Sequence, residues 1–260
     1  MLYLNGQPLN VTVFPDNTSQ VWKLPEEIFS KSEVVIKWTF SHEGEFMQLA
    51  QLKHLLGLKS HYGPHIRLIL TYLPYGRQDK EITNESTFAL RTFAVLLNKL
   101  NFDAVIIHDP HSEVALELIK NSHAYYPKEK LNEVIKETGT NLLCYPDKGA
   151  LRKYSEQYEF YQAYIYGEKV RDQLTGNITS YKVVGDCAGK NVLIVDDICD
   201  GGATFKLLAK DLLAAGAKSV SLFATHGIFS KGVRTLFDSG ISRIFTEDEE
   251  IGKRHDTKQF

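Results

Sequence analysis

Residues Asn191–Phe205 read NVLIVDDICDGGATF. A short apolar run, VLIV, leads directly into Asp196 and Asp197, and a small-residue turn follows before a segment with helical periodicity. An apolar run of this kind is typical of a central strand in a parallel sheet, buried on both faces. Open α/β sheets bind their ligands at the carboxyl ends of such strands. The stretch therefore predicts an α/β fold with a ligand site at this strand end.

The turn after this strand combines carboxylates with a phosphate-binding pattern. It consists of Asp200, Gly201, Gly202, Ala203 and Thr204. Glycines let the backbone approach a bound group, and the first N–H groups of the following helix point at it. A sugar that donates its vicinal hydroxyls to Asp196 and Asp197 while its phosphate enters the turn keeps the like charges apart, and Mg²⁺ nearby does so further. In the alternative, Asp200 only caps the helix. The paired aspartates then stand at the strand end without a ligand, and unpaired charges there cost free energy.

Composition restricts the class of protein. The 260 residues carry a net charge of −2, which gives no sign of a nucleic-acid partner or of binding to an anionic membrane. Cys144, Cys187 and Cys199 form no CxxC pair, which argues against a disulfide framework or zinc site and fits a reducing cytoplasm. We find no signal-peptide pattern and no apolar run of about 20 residues. We expect a cytoplasmic protein, in the host cytoplasm if the source is viral.

The remaining chain alternates apolar strand patterns with helical patterns, which predicts parallel sheets flanked by helices. Strands are expected at 11–14, 34–40, 67–73, 104–109, 141–146, 163–170, 191–197, 219–225 and 242–246. Helices are expected at 45–58, 86–100, 113–121 and 203–216. The most polar break is 128–141, so we place a domain boundary there and expect domains at 1–138 and 139–260.

VLIVDDICDGGAT resembles the ribosyl-phosphate loop of type I phosphoribosyltransferases and of ribose-phosphate diphosphokinases (PRPP synthetases). Segments that resemble synthetase motifs follow one another in family order: YLPYGRQDK (72–80), HDPHS (108–112), CYPDKGA (144–150), GEKVRD (167–172) and ATHGIFS (224–230). Together they separate the synthetases from the transferases, which have no use for RQDK or GEKVRD. The resemblance implies two tandem type I phosphoribosyltransferase-like domains, each a mostly parallel sheet flanked by helices.

The first of these segments can bind a nucleotide. Arg77 and Lys80 offer charge to phosphates, and Gln78 can hydrogen-bond a nucleobase or ribose, although such a loop can also be merely solvated. The resemblance implies ATP binding by the residues Arg77, Gln78, Asp79, Lys80 and His111, with His111 also beside the metal. It further implies that Phe14 and Asp16 of FPDNT (14–18), where the family has FPDGE, contribute to an adenine pocket across a subunit interface.

GEKVRD resembles the family's catalytic arm. In an extended segment Lys169 and Arg171 share a face, which suits charge on a transferred diphosphoryl group. The resemblance implies that the anomeric hydroxyl of a ribose attacks the β-phosphorus of MgATP and that AMP leaves. It places the ribose hydroxyls on Asp196 and Asp197, the phosphate in the 200–204 turn, and Mg²⁺ near Asp147.

The turn also departs from the family pattern D-T-(G/A/C)-G-T. Gly201 lacks the threonine hydroxyl, and Ala203 replaces a glycine. Gly201 removes a donor and adds space, which suits an acceptor with a larger 5-substituent, so ribose 5-phosphate and ADP-ribose both stay open as acceptors. The chain stops soon after 243–250, without the family's C-terminal helical tail, so we expect a homo-oligomer, a dimer or higher, rather than the usual hexamer.

Two other functions remain in competition at this stage. A phosphoribosyltransferase that consumes PRPP explains the 191–205 segment, but it leaves the ATP-like motifs unexplained. A non-catalytic synthetase-like subunit conflicts with the presence of Lys169 and Arg171. A Walker-type kinase lacks its GxxxxGK[ST] motif here.

Overall fold

A computed structural model describes residues 1–58, 64–157, 163–171 and 178–252, without the side chains of 169–171 and 178–181. The chain forms two compact units, Met1–Tyr125 and Tyr126–Gln259. Each unit has its own hydrophobic core, because the buried apolar side chains of one unit cluster only with one another. Within the described ranges, no helix has the length and apolar character needed to cross a membrane.

The first unit contains a six-stranded sheet in the order β2-β1-β5-β6-β7-β8 and a separate β3–β4 hairpin. Its strands are β1 (Leu2–Leu4), β2 (Gln7–Pro8), β3 (Val11–Val13), β4 (Ser19–Val21), β5 (Glu33–Trp38), β6 (His65–Leu70), β7 (Ala104–His108) and β8 (Ser122–Tyr125). Its helices are a 3₁₀ helix (Glu26–Ser30), α1 (Gly44–Leu58), α2 (Ala89–Lys99) and α3 (Val114–Leu118). Strands β5 to β8 are parallel, and β1 and β2 add an antiparallel edge.

The second unit contains a seven-stranded sheet in the order β11-β10-β9-β12-β13-β14-β15. Its elements are α4 (Lys128–Thr138), β9 (Leu142–Tyr145), α5 (Lys148–Gln157), β10 (Ala163–Arg171), β11 (Ile178–Val184), β12 (Asn191–Cys199), α6 (Ala203–Ala214), β13 (Ser219–Gly227), α7 (Arg234–Phe237), β14 (Ile241–Phe245) and β15 (Glu250–Ile251). Strands β10, β9, β12, β13 and β14 run parallel, while β11 and β15 are antiparallel edges.

Strand β12 lies at the centre of this sheet, as the VLIV run predicts. Val192, Leu193, Ile194 and Val195 are all buried. Side chains at alternate positions enter different clusters, Val192 and Ile194 one and Leu193 and Val195 the other. A strand covered on both faces needs apolar residues at every position, because successive side chains point to opposite faces. The prediction of an α/β fold with mostly parallel sheets flanked by helices is confirmed.

The polar segment 128–141, in which the predicted domain boundary falls, is largely helical. It forms α4, whose Leu131, Val134 and Ile135 are buried at the i, i+3, i+4 spacing of one helix face. These side chains pack in the second unit's core. The other faces of the helix are charged, which hides this narrow apolar stripe in the composition. α4 therefore packs within the second unit, although the predicted boundary after residue 138 assigns it to the first.

Candidate functional site

Unequal strand pairing brings Asp196 and Asp197 to the edge of the second sheet. β12 pairs with β13 as far as Cys199, but it pairs with β9 only as far as Ile194. The last four residues of β12 thus extend beyond β9, because β9 ends at Tyr145 and the chain turns into α5. The two aspartates lie on this overhang. The carboxylates consequently lie at the carboxyl end of the sheet, as predicted, although the strand itself continues for two residues past them.

Helix α5 places a lysine beside this pair of carboxylates. The ammonium of Lys153 lies 3.6 Å from Oδ2 of Asp197, and both side chains are largely buried, with 17% and 8% exposed. Oδ1 of Asp197 accepts a hydrogen bond of 3.0 Å from the N–H of Ile198. Lys153 was not expected from the sequence, because nothing in the local pattern distinguishes it from the neighbouring exposed Arg152. The orientation of α5 places Lys153 beside Asp197 and leaves Arg152 on the surface.

The two aspartates differ in their electrostatic surroundings. Burial, followed by the charge of Asp197, raises the pKa of Asp196 well above its usual range. The positive charge of Lys153 lowers the pKa of Asp196, but this effect is smaller than that of burial or of Asp197. Two adjacent carboxylates in a buried position favour holding a proton between them. Hydroxyl donors or a cation at this position would replace that proton, which is the chemistry that a ribose diol supplies.

Asp200 is held by the next strand's loop and does not cap α6. Its Oδ1 accepts a hydrogen bond of 2.5 Å from the hydroxyl of Ser230. The N-cap residue of α6 is Gly202, and no side chain caps the helix there. The N-cap position of α6 thus belongs to Gly202 and not to Asp200. Ser230 ends the ATHGIFS motif, so this motif supports the acidic turn directly.

The turn presents backbone N–H groups at the start of α6. The first helical residues, Ala203 and Thr204, precede the first intrahelical donor, since the N–H of Lys206 bonds to the carbonyl of Gly202 at 3.0 Å. Such N-terminal N–H groups have no partner within their helix and favour anions. Gly202 has a φ of 71°, and a Cβ there would lie 2.7 Å from Cδ2 of Leu236. Only glycine adopts this positive φ easily and also avoids the clash with Leu236.

Gly201 differs from Gly202 because a side chain there would meet no backbone. Its nearest neighbours would be the side-chain carbons of Lys231, with Cδ at 3.5 Å from an ideal Cβ. This distance is ordinary van der Waals contact. The space beside Gly201 is therefore lined by the aliphatic part of a lysine.

Asp147 follows β9 and stabilises the start of α5. Its Oδ1 accepts a hydrogen bond of 3.0 Å from the N–H of Ala150, and its carbonyl accepts one of 3.0 Å from the N–H of Leu151. Asp147 is thus a helix cap in this structure. A role beside a metal uses its second carboxylate oxygen and stays a prediction.

The side chains at this strand end fit a magnesium ion only in part. Across the described ranges, no group of three or more His, Cys, Asp or Glu side chains converges as a metal cage. The side chains at this edge offer carboxylate oxygen, the ligand type that Mg²⁺ takes, and Mg²⁺ is commonly held by one or two carboxylates together with waters and substrate phosphates. The donor set therefore suits an ion that also takes ligands from water and from a bound phosphate.

The predicted catalytic pair lies on β10, in backbone positions opposite β11. Lys169 pairs with Tyr181 and Arg171 with Ile178, with a register shift between residues 170 and 171. Their side chains lie outside the described residues, so their shared role stays a prediction. The adjacent Glu168 is described, and its Oε1 lies 2.8 Å from the ammonium of Lys148 at the start of α5.

The predicted ATP residues belong to the first unit, where two of the expected segments follow neighbouring strands. β6 and β7 are parallel with Leu70 opposite Ile107, so the turns after them emerge at the same edge of that sheet. In the first turn, Leu73 is buried and Tyr75 donates a 2.6 Å hydrogen bond to Glu43. These contacts leave Arg77, Gln78 and Lys80 exposed and Asp79 partly buried.

The second turn carries His111 on its surface. Asp109 just before it is buried and has a φ of 38°, and its N–H donates to the carbonyl of Tyr125 at 2.8 Å. This anchor holds the chain at the end of β7 while His111 stays exposed. The structure thus places His111 at the same sheet edge as Arg77, Gln78 and Lys80.

Phe14 and Asp16 lie in the β3–β4 turn of the first unit. Asp16 accepts hydrogen bonds from the N–H and hydroxyl of Thr18, at 3.0 and 2.7 Å. The Thr18 hydroxyl, then its N–H, lowers the pKa of Asp16. Phe14 is exposed to 39% of its surface. The substitution of Thr18 for the family's glutamate thus stabilises the turn itself, while the adenine contact stays a prediction.

Three comparisons relate this chain to known proteins. Residues 143–256 match the phosphoribosyl transferase domain family. A ribose-phosphate pyrophosphokinase of Pyrococcus abyssi is 32% identical and the match covers 92% of this chain and 84% of that protein. Another, from Saccharolobus solfataricus, is 28% identical over 92% and 85% of the two chains.

A solved structure supports the same fold. The phosphoribosylpyrophosphate synthetase of Mycobacterium smegmatis superposes with a TM-score of 0.76 at 22% identity, covering 96% of this chain and 84% of that one. At this identity the likeness concerns the fold. It extends over both units, which agrees with the tandem arrangement that the motif order implies.

Proposed function

The chain belongs to the ribose-phosphate pyrophosphokinase family of diphosphokinase-type transferases, and we propose that it transfers the β,γ-diphosphoryl group of ATP to a 5-phosphorylated ribose. The observation that carries this proposal is the pair Asp196 and Asp197 on the β12 overhang, directly before a turn that opens onto the N-terminus of α6. Paired carboxylates bind a diol, and helix N–H groups bind a phosphate. A ribose phosphate carries both groups.

In the proposed reaction, the anomeric oxygen of the ribose forms a bond to the β-phosphorus of ATP. The bond between that phosphorus and the oxygen that bridges to the α-phosphate breaks, AMP leaves with this oxygen, and the anomeric proton is released. Asp196 and Asp197 hold the ribose hydroxyls, and the 200–204 turn holds the 5-phosphate. The Lys153 ammonium, 3.6 Å from Oδ2 of Asp197, offsets part of the negative charge of this carboxylate pair.

The remaining assignments come from the resemblance. Lys169 and Arg171 neutralise the migrating diphosphoryl group, whose transfer depends mainly on positioning and electrostatics. ATP is held by Arg77, Gln78, Asp79, Lys80 and His111. Mg²⁺, which would be held by Asp147 or His111 together with the nucleotide, supplies positive charge to the phosphates when bound.

Two acceptors are consistent with the turn. The names of the relatives support ribose 5-phosphate. ADP-ribose is favoured by Gly201, which offers no hydroxyl to a terminal phosphate and leaves contact distances of 3.5 Å or more around an added Cβ. Transfer to ADP-ribose would give ADP-ribose pyrophosphate and link the protein to the rebuilding of NAD⁺. A homo-oligomer, dimeric or higher, is part of the proposal.

The test is AMP release from MgATP with ribose 5-phosphate or ADP-ribose, and the mass of the product identifies the acceptor. We expect AMP with at least one acceptor and strict dependence on ATP. Asp197→Asn should lose most turnover, whereas Asp238→Asn, an exposed aspartate at the end of α7, should behave as the parent. Base-dependent consumption of PRPP without ATP would instead identify a phosphoribosyltransferase. If AMP is released neither with ribose 5-phosphate nor with ADP-ribose, the proposal is refuted.

A further inference from the structure

We propose that Lys231 is a specificity-determining residue that binds the phosphate on the 5-position of the acceptor. The inference rests on the function proposed above. It concerns a residue outside the motifs that the sequence singles out, since ATHGIFS ends at Ser230. The acceptor group it recognises is a phosphate ester of ribose, either a monoester or the nearer phosphate of a diphosphate.

The position of the Lys231 side chain is defined by its contact with Gly201. An ideal Cβ on Gly201 would lie 3.8, 3.5 and 3.6 Å from Cγ, Cδ and Cε of Lys231. Three successive carbons at nearly equal distance mean that the lysine stem runs alongside this glycine. The stem therefore borders the position that a side chain at residue 201 would take. The ammonium follows Cε by one bond, so the charge lies beside the turn that precedes α6.

The backbone that carries Lys231 is fixed to the same turn. Ser230 donates its hydroxyl to Asp200 at 2.5 Å, and the N–H groups of Ile228 and Phe229 donate to the carbonyl of Cys199 at 2.9 and 3.1 Å. The ring of Phe229 is buried and lies against Gly227, where an added Cβ would be 2.2 Å from Cε2. These contacts leave little freedom in the turn that carries Lys231.

The charge of Lys231 is available to a ligand. The residue is exposed, and among the ion pairs of the described chain none involves Lys231. The Asp200 carboxylate accepts the hydroxyl of Ser230, the residue before Lys231. With no side chain at residue 201, the turn has no hydroxyl donor at that position, and the ammonium supplies a charged donor at the same place. A lysine ammonium binds phosphate as a point charge.

The test separates acceptor binding from turnover in Lys231→Met, Lys231→Arg and the control Lys210→Met, an exposed lysine two turns into α6. We expect Lys231→Met to raise the KM for the acceptor about fivefold, with kcat and the KM for ATP changed less than twofold. Lys231→Arg should keep the KM for the acceptor within about twofold, because it retains the charge, and Lys210→Met should match the parent. A similar KM for the acceptor in Lys231→Met and Lys210→Met would overturn the inference, as would parallel changes in both KM values.

A second variant tests the shared space. Threonine at residue 201 adds atoms beyond Cβ on the side that the Lys231 stem occupies, so the effects of Gly201→Thr and Lys231→Met on the acceptor KM should not add. Full additivity would contradict the contact. Absence of AMP release from the parent protein with either acceptor would refute the proposed function, whereas a fully active parent with an unaltered Lys231→Met would refute only the role of Lys231.

Discussion

Replacing Lys153 by methionine tests whether the buried ion pair at the acidic strand end stabilises the second unit. At the observed 3.6 Å and an effective dielectric constant of about 20, the attraction between Lys153 and Asp197 is about 5 kcal/mol. Desolvation of both groups offsets part of this energy. Removing the lysine leaves the Asp197 carboxylate buried beside Asp196 without its counter-charge, and loss of one partner of such a pair costs about 3 kcal/mol.

The readout has to report the second unit alone. Both tryptophans, Trp22 and Trp38, lie in the first unit, so intrinsic tryptophan fluorescence would follow the wrong part of the chain. Amide hydrogen exchange at residues 192–195 of β12 reports opening of the second unit directly. A loss of about 3 kcal/mol corresponds to an increase in exchange of roughly a hundredfold.

Two further variants decide whether the ion pair is responsible. Arg152→Met is the matched control, because Arg152 is the preceding residue of α5, has 81% of its side chain exposed and pairs with Glu156 at 3.3 Å on the surface. Its effect should stay below about 0.5 kcal/mol. The double variant Lys153→Met with Asp197→Asn should recover most of the loss, since no buried charge is left unbalanced. Equal effects of Lys153→Met and Arg152→Met, or a double variant no better than Lys153→Met, would refute the reasoning.

Three other predictions concern the same unit. Burial raises the pKa of Asp196 in the folded protein. The contribution of this carboxyl to stability is therefore complete below its unfolded pKa and is lost as the pH rises through its folded pKa. Asp196→Asn should accordingly raise the melting temperature most at pH 8, and a lower melting temperature than that of the parent there would contradict this. Lys169→Ala should abolish AMP release, while the affinity for ATP, measured by calorimetry, changes less than twofold. The reason is that the β10 arm is expected to act in the transition state. Retained turnover would remove Lys169 from the mechanism. Gly202→Ala should lower the free energy of unfolding by about 3 kcal/mol, because of the φ of 71° and the contact with Leu236. Gly189→Ala, with a φ of 68° and open space around the added Cβ, should lower it by about 1 kcal/mol in the same hydrogen-exchange measurement. Equal losses would exclude the contact with Leu236.

The strands and helices that were predicted correctly are those whose pattern is strong over a short window. The runs at 34–40, 67–73, 104–109 and 219–225 all overlap observed strands, because continuous or alternating apolar residues specify a buried strand locally. The strands β1, β2, β4, β8, β11 and β15, which lie at or next to sheet edges, were not predicted, since their pairing partners, and not their own residues, determine them. α4 was missed because only three of its residues face the core.

The site divides in the same way. Asp196, Asp197, Asp200 and the glycines of the turn are found from sequence, because a run of acids after an apolar strand is unusual without a ligand. Lys153 and Lys231 are not, although each contacts one of those residues. They come from α5 and from the loop after β13, which are distant in sequence, so no local pattern connects them to the acidic turn.

The amino-acid sequence by itself determined the fold class and the central strand, and it predicts the kind of ligand, because these follow from local hydrophobicity and from residue types that carry chemistry. Only the tertiary structure decided which carboxylate meets a lysine, which one meets a serine, and which glycine has room beside it. Those contacts depend on where β9 ends, how far β12 extends past it and how the loop after β13 turns back. Such lengths and pairings are properties of the whole sheet, and no single segment encodes them.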